Sequence, residues 1–80
     1  MDFKKRNSPL VSLGIGKRGV VTSLLAEGIS RRRMLDLGLV PGTIVESIRR
    51  SPAGDPTAYF IRGAVIALRS EESSKVLVNI

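Results

Sequence analysis

Apolar residues in this chain come in short bursts, broken by polar positions and closed by glycine or proline, the rhythm of a small β protein. Gly19 to Ala26 alternates loosely, is rich in Val, Thr and Leu, and reads as a first strand. Glu27-Gly28 turns the chain into a helix predicted over Ser30 to Leu37. Thr43 to Arg50, Thr57 to Ile61, Ala64 to Arg69 and Lys75 to Ile80 read as four further strands. Between them lie a two-proline loop, Ser51-Pro52-Ala53-Gly54-Asp55-Pro56, and a tight turn at Arg62-Gly63. Pro9 to Leu13 reads as a short turn. Ser70 to Ser74 reads as one helical turn, with Ser70 as its cap and Glu71-Glu72 at positions the helix dipole favours. Residues 1 to 8 are polar and basic and are expected to fray, leaving residues 9 to 80 as one domain. Five short strands with brief connections predict a mainly β fold, a small barrel with one short helix inserted after the first strand.

The helix carries the sharpest local signals. Gly38 can end it in the left-handed conformation, with Leu39 folding back on Met34. Val40-Pro41-Gly42-Thr43 suits a type II turn, Pro at the second position and Gly at the third. Arg31, Arg32 and Arg33 are then expected in the first turn, where the dipole disfavours cations. Such a departure from local rules marks either a functional site or a solvated charged turn.

Charge narrows the class of partner. Thirteen Lys and Arg against seven Asp and Glu give +6 on 80 residues, which favours an acidic surface: nucleic acid, anionic lipid or an acidic protein. There is no cysteine and no histidine, which excludes a disulfide, a zinc knuckle, a thiol nucleophile and an imidazole base. The basic start lacks the apolar core of a signal peptide, and no apolar run is long enough to span a bilayer, so a cytoplasmic protein is expected. With aromatics limited to Phe3, Tyr59 and Phe60, the core is expected to be aliphatic.

Candidate chemistry is thin. Gly14-Ile15-Gly16-Lys17-Arg18-Gly19 matches the dinucleotide fingerprint, but Val20-Val21-Thr22 after it is β-like, where a helix is required. Among the carboxylates, Asp36 falls within reach of Arg32 and Arg33 on the helix, and Asp55 is expected to bond nearby backbone amides in its loop. No catalytic residue, cofactor or metal site is expected, and the chain is read as a binding module. Phe60 breaks the alternation of the third strand, Val65 breaks that of the fourth, and each is either covered by a neighbour or exposed for a partner.

Three motifs together resemble a known family. They are Arg31-Arg32-Arg33-Met34-Leu35-Asp36-Leu37-Gly38-Leu39-Val40-Pro41-Gly42-Thr43, then Arg49-Arg50-Ser51-Pro52-Ala53-Gly54-Asp55-Pro56, then Arg62-Gly63 followed by Ile66-Ala67-Leu68-Arg69. In that order they resemble the FeoA family of small cytoplasmic components of bacterial ferrous-iron uptake. The resemblance implies an SH3-like β-barrel and a non-enzymatic accessory role beside an FeoB-type permease, a membrane protein with a cytoplasmic GTP-binding domain. It places Ser47, Phe60, Ala64 and Val65 at positions where the family commonly differs, consistent with an altered partner face. The expected partner surface is Arg31, Arg32, Arg33, Arg49, Arg50, Arg62 and Arg69, with Phe60 as an apolar anchor. Arg69 is equally open to a structural role. Gly38, Pro41, Gly42, Gly54, Asp55, Pro56 and Gly63 are the expected turn residues. The domain is expected to be a monomer or weak oligomer without membrane insertion. Two other readings stay open: a nucleic-acid-binding SH3-like module, which would lack stacking aromatics, and a free-standing sensor domain that binds a transition metal ion, like that fused to DtxR-type repressors.

Overall fold

The computed structural model describes residues 7–80. Six strands form one antiparallel sheet in the order β1-β6-β2-β3-β4-β5. In chain order they are β1 (Asn7–Pro9), β2 (Arg18–Leu24), β3 (Ile44–Arg50), β4 (Thr57–Ile61), β5 (Ala64–Leu68) and β6 (Val76–Asn79). Two helices interrupt them, α1 (Gly28–Asp36) after β2 and α2 (Ser70–Ser73) before β6. A 3-10 turn, Leu10–Ser12, follows β1.

The mainly β class and the single inserted helix agree with the sequence reading, with one strand more than expected. Asn7 and Ser8, expected to fray, instead pair with Asn79 and Val78. The rest of the expected frayed segment, residues 1 to 6, lies outside the described residues. Pro9, read as the start of a turn, closes β1, and the turn itself begins at Leu10.

The core fills one side of the curved sheet. Val21, Val45, Tyr59, Ile61, Leu68, Val76 and Val78 point inward from the strands, and Leu10, Leu13, Met34 and Leu39 close over them. Helix α1 contributes only Met34 to this buried set; its arginines stay in solvent. Two bulges, between Val21 and Ser23 and between Ser47 and Arg49, bend β2 and β3 around this core.

The stop after α1 forms as the sequence predicts. The Leu39 N–H donates to the Met34 carbonyl at 3.0 Å and the Gly38 N–H to Leu35 at 3.0 Å, the paired bonds of a Schellman cap. Gly38 has φ +100°, and both Met34 and Leu39 are buried. Val40 then accepts from the Thr43 N–H at 3.0 Å with Gly42 at φ +96°, closing the expected turn.

The start of α1 differs. It begins at Gly28, Glu27 occupies the cap position without a side-chain bond, and Ser30 lies inside the helix. Ser30 therefore does not cap, and Arg32 and Arg33 lie beyond the first turn. Arg33 falls in the last turn, where the free carbonyls favour a cation. The dipole conflict read from the sequence is thereby removed for Arg32 and Arg33, while Arg31 stays in the first turn. At α2 the cap is Arg69, not Ser70: the Glu72 carboxylate accepts from the Arg69 N–H at 3.0 Å.

Candidate partner-binding surface

Opposite the core, strand pairing lays one row of side chains across four strands. Arg18 pairs with Glu46, Glu46 with Phe60, and Phe60 with Val65. Because neighbours two apart share a face, Val20 and Ile44, themselves paired, lie beside this row. Phe60 is 44% exposed and Val65 66%, so both stand in solvent and neither is covered by a neighbour. Val20 and Ile44 are also exposed, giving the outer face an apolar strip.

Arginines frame the strip. The Arg18 Nε lies 3.5 Å from the Glu46 carboxylate. Arg49 pairs with Ala58 in the adjoining row. Arg62 sits in the two-residue turn that joins Ile61 to Ala64. Ile44, Phe60, Arg18, Glu46, Arg62 and Gly63 together line a shallow cleft of about 320 Å³. Arg62 adopts φ +49° and Gly63 +85°, the type I′ geometry that favours Asn-Gly. An arginine held there against local preference is the strained feature of this face. Its side-chain stem lies over Gly38, so close that a Cβ on Gly38 would fall 2.5 Å from its Cδ.

The other expected partner residues divide. Arg33 pairs with Glu72 and thereby ties α1 to α2. That pairing, after the stronger hydrogen bond from the Arg69 N–H, holds the Glu72 carboxyl below the usual carboxylate range. Arg32 lies 3.9 Å from Asp36 with both side chains largely in water, and Arg31 reaches the Leu24 carbonyl at 3.4 Å. Arg50 is exposed beside Arg49 at the end of β3. Arg69 lies 3.9 Å from Asp55, whose other oxygen accepts from the Ser70 N–H at 2.8 Å. Asp55 therefore serves an amide 15 positions away, not one in its own loop, and Arg69 takes part in that structural clasp. In the same loop the Gly54 N–H donates to Ser51 at 2.8 Å, and the Asp55–Pro56 peptide is cis.

The structure thus gathers Phe60, Arg62 and Arg49 on one face, while the α1 arginines lie against Leu24, Asp36 and Glu72. Sequence reading missed Val20, Ile44 and Arg18. The signal for Val20 and Ile44 was an apolar residue on both parities of β2 and β3, at Val20 beside Val21 and Ile44 beside Val45. Among the described residues, no cluster of three or more carboxylates is placed to hold a metal ion, and no helix is long and apolar enough to cross a membrane.

Solved structures share this architecture. The FeoA protein of Chlorobium tepidum is 39% identical, with a TM-score of 0.84 over 90% of this chain and 69% of its own. The FeoA-like protein of Clostridium acetobutylicum is 31% identical, with a TM-score of 0.87 over 98% of this chain and 90% of its own. The FeoA of Stenotrophomonas maltophilia, solved with zinc and described as a prokaryotic SH3 domain protein, is 30% identical with a TM-score of 0.77, covering 86% of each chain. A fusion of Fe(2+) transport protein A with the Fe(2+) transporter FeoB from Porphyromonas gingivalis is 30% identical over 71 residues, 89% of this chain. The chain spans 8% of that fusion's length. The FeoA domain family itself matches residues 8–80, and with the SH3-like fold in place the chain belongs to that family.

Proposed function

We propose that this protein is a non-enzymatic adaptor of ferrous-iron transport that docks on the cytoplasmic side of an FeoB-type permease. The observation that carries the reading is the outer strip of Val20, Ile44, Phe60 and Val65 framed by Arg18, Arg49 and Arg62. Aromatic and arginine side chains with apolar neighbours are the usual makings of an interface hot spot. The Porphyromonas gingivalis fusion, which joins the two proteins in one chain, supports the choice of partner. A sequence without His or Cys supports a binding role over a catalytic or metal-handling one.

Capture of detergent-solubilised permease on the immobilised protein tests the proposal. Phe60→Asp and Ile44→Asp place charge on exposed positions and should abolish capture while leaving the fold intact by circular dichroism. Binding should weaken with salt and survive nuclease. Capture at parental level by both variants would overturn the assignment of this face. Loss of capture on nuclease treatment would make nucleic acid the ligand.

A further inference from the structure

The two edges of the sheet are protected very differently. β1 is a 3-residue strand that ends in Pro9, the short, proline-blunted edge that natural sheets use against unwanted pairing. β5, at the opposite edge, is Ala64-Val65-Ile66-Ala67-Leu68, with no charge, no proline and an unbroken register against β4. Within the strand itself, charge, proline and bulge are all missing among the usual edge defences.

Which of its backbone groups are free follows from the hairpin. A two-residue turn closes on a hydrogen-bonded pair, here Ile61 and Ala64, and pairs then alternate along the ladder. Ala64, Ile66 and Leu68 therefore aim their N–H and C=O groups at β4. Val65 and Ala67 aim theirs outward, and among the described residues no other group bonds to them. Their side chains are exposed on the face that carries Phe60.

We infer that β5 takes an extended, acidic-flanked segment of the partner as a seventh strand, bound through the outward N–H and C=O groups of Val65 and Ala67. The inference rests on the adaptor reading above and names how that partner is held. Charge selects the occupant. Arg62 stands just before β5 and Arg69 just after it, both exposed, and the strand between them is neutral. A segment lying along the 5-residue strand would have the exposed Arg62 at the turn end and Arg69, 3.9 Å from Asp55, at the other, a net positive setting that carboxylates flanking an apolar stretch match. A second copy of this chain fits less well. Antiparallel pairing of β5 with itself about Ile66 would bring Arg62 of each copy beside Arg69 of the other.

The test separates backbone from side chain. Val65→Pro deletes one outward N–H at an edge position that donates nothing to β4, so the hairpin survives. Val65→Thr keeps the N–H and the branched shape. In the capture assay, Val65→Pro should weaken binding at least tenfold and Val65→Thr less than threefold. Hydrogen exchange on the complex should slow at the Val65 and Ala67 amides. If the parent and Val65→Pro capture permease equally while Phe60→Asp fails, strand addition is overturned and the adaptor reading stands. If the parent captures none, both fall. If sedimentation of the protein alone shows a dimer that Val65→Pro dissolves, the occupant is a second copy and the partner-segment proposal is wrong. Thermal melts and β4–β5 cross-strand contacts by NMR confirm that Val65→Pro is folded.

Discussion

Replacing Gly38 by alanine should cost this domain a large share of its stability, for two reasons that can be measured apart. The first is backbone conformation. Gly38 has φ +100° in the Schellman cap, and a side chain there costs about 1–3 kcal/mol. The second is the neighbour. The new Cβ would fall 2.5 Å from the Arg62 Cδ and 3.1 Å from its Cγ, against roughly 3.5–4.0 Å for relaxed carbon contacts. Arg62 must swing its stem aside, at about 0.5–1.5 kcal/mol if it leaves a rotamer well. Together these give about 1.5–4.5 kcal/mol, against a total of roughly 4–12 kcal/mol for a domain of this size. At about 4–8 °C per kcal/mol, Tm should fall by roughly 6–36 °C in a thermal melt followed by circular dichroism. Arg62→Ala removes the obstructing stem, so in the double variant Gly38→Ala/Arg62→Ala the clash should vanish and the backbone cost remain. Arg32→Ala, whose partner Asp36 is 3.9 Å away in water, serves as a control and should move stability by less than about 0.5 kcal/mol. A Tm for Gly38→Ala within about 2 °C of the parent would refute the placement of the cap. Complete rescue by Arg62→Ala would refute the backbone half of the reasoning.

Two further expectations concern the interior and the helix clasp. Ser47 is fully buried and its hydroxyl has no hydrogen-bond partner among the described residues, so Ser47→Ala should stabilise by about 1 kcal/mol in urea melts; a loss of similar size would mean the hydroxyl is satisfied. The Glu72 carboxyl is held low in the folded state by the Arg69 N–H and then by Arg33, so its stabilising contribution is complete above the unfolded value and is lost as pH falls through the folded one. Glu72→Gln should therefore flatten the acid limb of a Tm-against-pH profile, and parallel profiles for parent and variant would count against the clasp.

What the sequence made legible was local. The Gly38 stop and the Pro41-Gly42 turn depend on residues next to one another, and both stand where the spacing put them. The start of α1 was misplaced because Ser30 is chemically a good cap, while the chain enters the helix through Gly28 at φ +63°. β1 escaped notice because its partner among the described residues, β6, lies at the far end of the chain, and three residues ending in proline carry no periodic signal. Asp55 was assigned to its own loop for the same reason; its amide partner, Ser70, becomes a neighbour only once β4 and β5 have folded back. The dipole argument for Arg32 and Arg33 rested on a helix start at Ser30, two residues later than the Gly28 at which α1 begins. Phe60 and Val65 were rightly marked as irregular, yet only strand register joined them to Val20 and Ile44 as one surface.

The pairing of Asn7 with Asn79 has an architectural consequence. It brings the points where the chain enters and leaves the domain to the same corner, roughly 5 Å apart as across any antiparallel pair. A longer polypeptide could carry the domain as a side loop, with little separation between the two flanking ends. That corner is the proline-blunted edge of the sheet, and the open strand β5 is at the other extreme of the strand order. Tethered there, the domain would hang from its closed side and swing its unprotected edge outward, toward whatever the tether has brought within reach.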